Sequence, residues 1–193
     1  MNTPLRVTHL ADAADRLGVA AGSGTLRHIG GGADAAIGTA ITLHQRPGNG
    51  KARHGELAAL AAPGQILVIA VDGANQGATW GEAHTLRAAL RGIAGLLTDG
   101  AIRDHDALRA GGFPVTFGAT TPFRSARRLE TVAVDAPVTI AGVRIRSGDT
   151  IGMDGDGFVC LPQERAAEII ALAREISTGE GERDTAIRAG GGA

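Results

Sequence analysis

Apolar and polar positions follow two different periods along this chain. From Leu10 to Leu17 apolar residues recur at helical spacing with Asp12 and Asp15 between them, which predicts a short amphipathic helix running out into Ala20-Ala21-Gly22-Ser23-Gly24. Ala36 to Leu43 is a β-type run, followed by a polar, turn-rich loop from His44 to Lys51 and a return to helix from Gly55 to Ala61. Gln65 to Asp72 is nearly continuous apolar sequence between Pro63-Gly64 and Asp72-Gly73, the pattern of a strand buried on both faces. A glycine-rich loop, Gly73 to Thr79, then leads into a helix from about Gly81 to Arg91 and a second buried strand, Ile93 to Thr98. Strand, helix, strand in that order predicts parallel pairing through a right-handed crossover.

Beyond this unit, Phe113 to Phe117 reads as one more short strand. Val132 to Cys160 reads as hairpins broken at Asp135-Ala136-Pro137, Ala141-Gly142, Ser147-Gly148-Asp149 and Asp154-Gly155-Asp156-Gly157. A last helix is predicted from Pro162 to about Ile176, with Ile169, Ile170, Leu172 and Ile176 on its apolar face. The remainder, residues 178–193, is polar and rich in glycine and reads as a flexible tail. With no repeat, linker or second core, the expectation is one α/β domain over residues 1–177, built on the parallel strand-helix-strand unit, followed by that tail.

Composition narrows the function. A chain of 193 residues buries roughly 70% of its unfolded surface and needs no staples. Thirty glycines, with one Trp, four Phe and no Tyr, leave the core to Ala, Val, Ile and Leu and make ligand contacts depend on backbone amides. A net charge of −1 without a basic block lacks the footprint of a nucleic-acid binder, and there are few rings on which bases would stack. No apolar run approaches the roughly 18 residues of a membrane span, and no signal peptide opens the sequence, so the expectation is a cytoplasmic protein with no membrane partner. The single cysteine, Cys160, excludes an intrachain disulfide and reads as a core thiol on a buried strand.

In open α/β sheets ligands sit beyond the carboxyl ends of the strands, and both buried strands end in dense polar clusters. The loops after neighbouring parallel strands open on the same side, so the start of the helix carrying Glu82 is expected near Arg103 and Asp104. Backbone amides from Gly77, Ala78, Thr79, Trp80 and Gly81 would cradle a carboxylate, Arg103 would add a matching fork of donors, and Asp104 would hold a hard divalent cation through oxygen. The alternative for the Arg-Asp pair is a solvated turn. Asp154-Gly-Asp-Gly lacks the remaining ligands of a calcium loop and reads as a β-turn, while His84 and His105 flank the site without a recognised ligand spacing.

Several segments, in this order and spacing, carry a family resemblance: Gly64-Gln-Ile-Leu-Val68, Trp80-Gly-Glu82, Gly92-Ile-Ala-Gly95, Asp99-Gly-Ala-Ile-Arg-Asp104, Phe113-Pro-Val115, Pro137 to Val143, and Ser147-Gly-Asp149 to Asp154-Gly-Asp-Gly-Phe-Val159. Over about Val7 to Glu175 the chain resembles the 4-hydroxy-4-methyl-2-oxoglutarate aldolase family, also known as the RraA-like family. The resemblance implies a three-layer fold of the swivelling α/β/α type with a mixed sheet, assembled as homotrimers or homohexamers with sites between subunits. It implies that Arg103 binds the carboxylate and carbonyl side of a 2-oxo acid. Asp104 would ligate Mg2+ (or Mn2+) largely through waters, and Glu82, where the family often has Asp, would hold a water that moves a proton to and from the pyruvyl methyl.

The implied chemistry is retro-aldol cleavage of 4-hydroxy-4-methyl-2-oxoglutarate or a similar 4-substituted 2-oxo acid, oxaloacetate decarboxylation, or both, through a metal-stabilised enolate. A Schiff-base route is disfavoured, because the only lysine, Lys51, lies in a Pro-Gly-Asn-Gly loop with nothing apolar nearby in sequence to lower its pKa. In some relatives a C-terminal acid reaches a neighbour's metal waters, a role open here to Glu180 or Glu182. Two other functions stay open: a non-catalytic RraA-like regulator binding ribonuclease E or another protein, and a metal-enolate enzyme recruited to a specialised pathway. Members that bind ribonuclease E lack the aspartate after the arginine, whereas this chain keeps Asp104.

Overall fold

The computed structural model describes residues 4–32 and 35–190. Helix α1 (Val7–Arg16) is followed by strands β1 (Gly22–Gly24), β2 (Arg27–Ile29) and the long β3 (Ala36–Pro47). Next come α2 (His54–Leu60), β4 (Ile66–Ala70), β5 (Ala78–Trp80), α3 (Glu82–Leu90), β6 (Gly95–Thr98), β7 (Ala101–Ile102), α4 (His105–Gly111), β8 (Val115–Phe117) and β9 (Ala119–Thr120). The chain ends in β10 (Leu129–Val134), the hairpins β11 (Val138–Ile140)/β12 (Val143–Ile145) and β13 (Thr150–Asp154)/β14 (Gly157–Leu161), and α5 (Ala166–Arg188).

Among the described residues the main sheet has nine strands in the order β1-β14-β13-β3-β4-β6-β8-β2, with β10 also paired to β3. β3, β4, β6 and β8 run parallel, as the strand-helix-strand pattern requires, and the flanking pairs are antiparallel. The fold is therefore α/β with a mixed sheet. All five residues of β4 are buried and alternate between two cores. Leu67 and Ile69 pack with Leu57 and Ala58 of α2 and Ala88 of α3, whereas Ile66, Val68 and Ala70 pack with Ile140 and Ile145 of the β11/β12 hairpin. Each fully buried side chain of this size contributes roughly 1.5–3 kcal/mol relative to exposure. A third core joins α1 and α5 to β14 through Leu10, Ala13, Val159, Leu161, Ile169 and Ala173.

Two local expectations change. The polar stretch after Leu43 is strand as far as Pro47, because residues 43–47 pair with β10 and the Gln45 side chain is fully buried against polar partners. The tail from Thr178 does not leave the fold as a flexible segment; it continues α5 to Arg188. Glu180 anchors it by accepting from His9 Nε2 at 3.0 Å, and the Thr185 hydroxyl donates to Gly181 O at 2.7 Å. His9 Nδ1 accepts from the Arg6 amide at 3.0 Å, which fixes the ring proton on Nε2 facing Glu180. Residues 191–193 lie outside the described residues.

The Asp154-Gly-Asp-Gly segment is the hairpin turn, with Asp154 pairing Gly157. Asp154 accepts from the Asp156 amide through Oδ1 and from the Val7 amide at the start of α1 through Oδ2. Cys160 is buried in β14, and burial pushes its thiol up to about 12, so it is a core group.

The feature that positions the site is a second, smaller sheet. β5, β7 and β9 form an all-parallel trio in which each strand follows one of the central parallel strands β4, β6 and β8. The chain steps from one sheet to the other in tight spaces. At Gly118, between β8 and β9, a Cβ would lie 2.0 Å from the backbone oxygen of Asp99, so only glycine fits. Thr79, on β5, is tied to the main sheet by its hydroxyl, which donates to Gln45 Oε1 at 2.6 Å.

Candidate active site

The carboxyl ends of the three small strands are Trp80, Ile102 and Thr120. The residues that follow are Gly81-Glu82, Arg103-Asp104 and Thr121-Pro122, which the trio brings side by side through ladder bonds from the Arg103 amide to Trp80 O (3.0 Å) and the Thr121 amide to Ile102 O (2.9 Å). Asp104 begins α4 in the left-handed region, φ 57°, a conformation Asp tolerates better than most side chains. That turn swings its carboxylate back toward α3. Asp104 Oδ2 accepts from the Glu82 amide at 3.2 Å and lies 3.4 Å from Arg103 Nε, with both side chains about one-third exposed.

Gly81 makes this approach possible. Its backbone is fully extended, which any residue adopts, but a Cβ there would sit 2.8 Å from Asp104 Oδ2 and 2.9 Å from Arg103 Cγ. The glycine is a steric requirement of the pair.

Beside the pair lies a cleft of about 390 Å³, walled by Gly81, Ala83, His84, Arg87, Arg103 and Arg124 among others. Arg103 also borders a shallower depression of about 230 Å³ that holds Asp104, His105 and Thr120. Arg103 is thus common to both hollows, with Asp104 in the shallower one and Arg87 and Arg124 in the larger one. Among the described residues no Asp or Glu side chain lines the larger cleft.

The remaining expected site residues fall as follows. Thr79 and Trp80 border the cleft from within the core: Thr79 is bonded to Gln45, and the Trp80 indole N–H donates to Thr85 Oγ1 at 2.8 Å. The Ala78 amide donates to Phe123 O at 2.8 Å, and Gly77 lies against Arg124 and Arg128. Of the amides at the start of α3, that of Glu82 goes to Asp104 and that of His84 to Gly81 O, and Ala83 between them lines the cleft. The Glu82 side chain is exposed and is not part of the cleft wall. Lys51 is exposed and also lies outside that wall. Glu180 is engaged by His9, and Glu182 lies on the same helix, α5.

Arg87 and, as a wall residue, His84 were not assigned to the site from the sequence, and Arg124 falls in a segment, Thr120 to Arg128, that the sequence marks for substrate choice without singling out a residue. His84 packs on the Trp80 ring at 5.2 Å, and burial, assisted by Arg87 and Arg103, holds its pKa below 6.5. Asp99 is structural. Its Oδ1 accepts from the Val71 amide at 2.8 Å, pinning the end of β4 to the end of β6, and burial raises its pKa above 3.8.

Among the described residues no group of three His, Cys, Asp or Glu side chains converges as a ready metal cage. A single carboxylate beside a depression suits Mg2+ or Mn2+ in the mode where one or two protein oxygens bind and waters or substrate complete the shell. Asp104 fits that mode.

Known proteins bear on the family and the fold. A family model for the RraA-like proteins, described as Aldolase/RraA, matches residues 7–160. A Halalkalibacterium halodurans protein provisionally named 4-hydroxy-4-methyl-2-oxoglutarate aldolase is 32% identical over 127 residues, covering 66% of this chain and 60% of its own length. Other curated relatives are also longer than the matched region: the chain spans 30% and 55% of two of them. An uncharacterised Pseudomonas syringae pv. tomato protein of known structure superposes with a TM-score of 0.83 at 29% identity, covering 96% of this chain and 89% of its own. The Streptomyces coelicolor protein RraAS2, described as an unusual member of the RNase ES inhibitor RraA protein family, superposes at 0.77 with 26% identity, covering 93% and 91%. With four-fifths of its length matched by the family model and the same fold in its structural neighbours, the chain belongs to the RraA-like family.

Proposed function

We propose that this protein is a divalent-metal-dependent carbon–carbon lyase acting on a pyruvate-type 2-oxo acid. The observation that carries the reading is the Arg103–Asp104 pair, turned back by the left-handed Asp104 onto Gly81 and the Glu82 amide beside a cleft that, among the described residues, no acidic side chain lines. The provisional aldolase name of the H. halodurans relative supports the same reading.

Arg103 binds the substrate's first carboxylate and carbonyl side, with the small residues Gly81 and Ala83 leaving room for close approach. Asp104 would hold Mg2+ (or Mn2+), which supplies a Lewis acid for the 2-oxo group. When the bond between the third and fourth carbons breaks, the electron pair passes into the 2-oxo unit as an enolate, and the cationic field of Arg103 favours that charge. A proton then returns to the third carbon to give pyruvate. Glu82 is the group proposed to hold the water that carries this proton, from the first turn of α3. Decarboxylation of oxaloacetate releases CO2 with no hydroxyl proton to remove, whereas retro-aldol cleavage also takes the 4-hydroxyl proton as that carbon becomes a carbonyl; the water on Glu82 would accept it and return it to the third carbon.

The test is pyruvate release from oxaloacetate and from 4-hydroxy-4-methyl-2-oxoglutarate, with and without Mg2+. Product that depends on both metal and Asp104 supports the reading. Absence of metal-dependent product from either substrate, or an undiminished rate in Asp104→Asn, overturns it.

A face of exposed leucines, Leu60 on α2 with Leu86 and Leu90 on α3, supports a protein-contact role. We assign it to self-association into trimers or hexamers, to be checked by sedimentation of the purified chain. The name of RraAS2 gives a second reading, in which this face docks a ribonuclease; pull-down of such a nuclease by a chain without lyase turnover would favour it.

A further inference from the structure

We infer that Arg87 and Arg124 form a second anion site, which reads a carboxylate on the far side of the substrate's scissile bond and makes the enzyme selective for dicarboxylic over monocarboxylic 2-oxo acids. The inference deepens the lyase reading and rests on it for the identity of the first binding group.

Three arginines, Arg87, Arg103 and Arg124, border one cleft of about 390 Å³ that no acidic side chain lines among the described residues. Arg103 has Asp104 at 3.4 Å. Arg87 and Arg124 have no carboxylate partner among the described residues; the polar contact of Arg87 is its own helix, to Ala83 O at 3.2 Å. Arg87 and Arg124 are exposed at the wall of the cleft, so their guanidinium groups can meet a carboxylate ligand without first breaking an ion pair. The arginine field reaches His84, whose pKa is lowered first by burial and then by Arg87 and Arg103.

Arg124 is also placed by the fold. The preceding carbonyl, Phe123 O, accepts from the Ala78 amide at 2.8 Å, and Ala78 and Arg124 form a parallel bridge that attaches this loop to the small sheet. Gly77 permits the approach, because a Cβ there would come within 2.9 Å of Arg124 O. The Arg128 guanidinium lies 4.6 Å over the Phe123 ring, and the amides of Arg128 and Leu129 both return to Ser125 O. The loop carrying Arg124 is therefore held through Ala78 to β5, the strand that ends in the site, and braced within itself by the Phe123 and Ser125 contacts.

The layout gives the substrate a direction. Arg103 borders both hollows, Asp104 borders the shallower one, and Arg87 and Arg124 border the larger one. A 2-oxo acid with its oxo group toward Asp104 and its first carboxylate on Arg103 extends its remaining carbons toward Arg87 and Arg124. A neutral methyl end there would leave both guanidinium groups unmatched; a carboxylate matches them.

Calorimetric titration of the full chain in Mg2+ with 2-oxoglutarate and with 2-oxopentanoate isolates this contact. The two have the same length, neither carries the 4-hydroxyl needed for cleavage, and only the first ends in a carboxylate. The native chain is expected to bind 2-oxoglutarate roughly 10- to 100-fold more tightly, the range of a charge-assisted hydrogen bond. Arg124→Gln and Arg87→Gln should bring the ratio toward one, and Arg124→Lys should give an intermediate value. Circular dichroism melting of each variant confirms that it is folded. The kinetic counterpart is the ratio of kcat/KM for 4-hydroxy-4-methyl-2-oxoglutarate over 4-hydroxy-2-oxopentanoate, which should fall by a similar factor. Equal affinity of the native chain for the two acids, or a ratio untouched by both Gln variants, overturns the inference. Discrimination in binding without pyruvate release upholds the anion site and sinks the lyase reading, and release without discrimination does the reverse.

Discussion

Replacing Gly81 by alanine adds one methyl group at the point where α3 meets the Arg103–Asp104 pair. The backbone there is extended, φ −171°, so alanine fits the main chain without strain and the effect is confined to contact. The new Cβ would start 2.8 Å from Asp104 Oδ2 and 2.9 Å from Arg103 Cγ, where ordinary contact begins near 3.4 Å. Both side chains must therefore move by about half an ångström, and the Asp104 hydrogen bond to the Glu82 amide, 3.2 Å long, is the contact that yields. A displacement near 1 Å at a reacting centre costs about 100-fold in rate, so a fall in kcat/KM of roughly 10- to 100-fold is expected. That range corresponds to about 1.4–2.7 kcal/mol of transition-state stabilisation. The fold should hardly notice, with Tm within about 4 °C of the native chain, the shift produced by about 1 kcal/mol in a protein of this size. The assay is Mg2+-dependent pyruvate release, paired with a thermal melt. Activity within twofold of the native chain, or a loss of structure large enough to account for the loss of activity, would refute the reasoning.

Asp104→Asn keeps a side chain suited to the left-handed turn at φ 57° but removes the anionic oxygen, so Tm should hold while Mg2+-stimulated turnover drops by about 100-fold or more, read from rate against metal concentration. Gly118→Ala is the structural opposite of Gly81→Ala. Its Cβ would meet the backbone oxygen of Asp99 at 2.0 Å, which no rotamer relieves, so a loss of about 3 kcal/mol or more and a Tm lower by about 10 °C are expected in a melt. The pH dependence of stability has a defined sign. His28, whose Nδ1 lies 2.8 Å from Thr116 Oγ1, has its pKa held below 6.5, mainly by burial. The unfolded chain therefore binds protons first as pH falls, and Tm should decline below about pH 6.5, with a shallower slope in His28→Gln; an unchanged slope would exclude His28 as the source. His84 acts in the same direction, whereas Asp99, raised above 3.8 by burial, gains stability as pH falls further.

The central strands were legible because their signal is local. Ile66 to Ala70 and Gly95 to Thr98 are apolar throughout and bounded by glycine, proline or aspartate, so their burial, their parallel pairing and the placement of Arg103-Asp104 beyond β6 could be read directly. The small sheet was not, because strands of two or three residues such as Ala101–Ile102 are too short to show a period and exist only through pairing with distant neighbours. Gln45 was masked for the same reason, as a polar residue in polar surroundings whose partner, Thr79, is 34 positions away. The tail was misread from its glycines. Intrinsic propensity argues against helix at Gly179 and Gly181, but the packing of Ile176 and the His9–Glu180 contact outweigh it. Arg124 is one of three arginines in Pro122-Phe-Arg-Ser-Ala-Arg-Arg-Leu129, and what singles it out is its bridge to Ala78, a pairing with a distant strand that the local sequence does not show.

The steps between the two sheets differ in length, and that difference gives the site unequal freedom to change. Residues 99–100 and residue 118 are the whole of two steps, each in contact with the backbone or core, so any altered length there would drag Arg103 or β9 out of register. Residues 71–77 form the third step, and only Val71, Ala74 and Gly77 of it are buried. A residue added or removed around Asn75 would reshape the wall reached through Gly77 and Arg124 while the Arg103–Asp104 corner keeps its geometry. The scaffold thus separates a fixed reactive corner from an adjustable gauge for the rest of the substrate, and redesign for a longer or shorter acid should begin in residues 72–76.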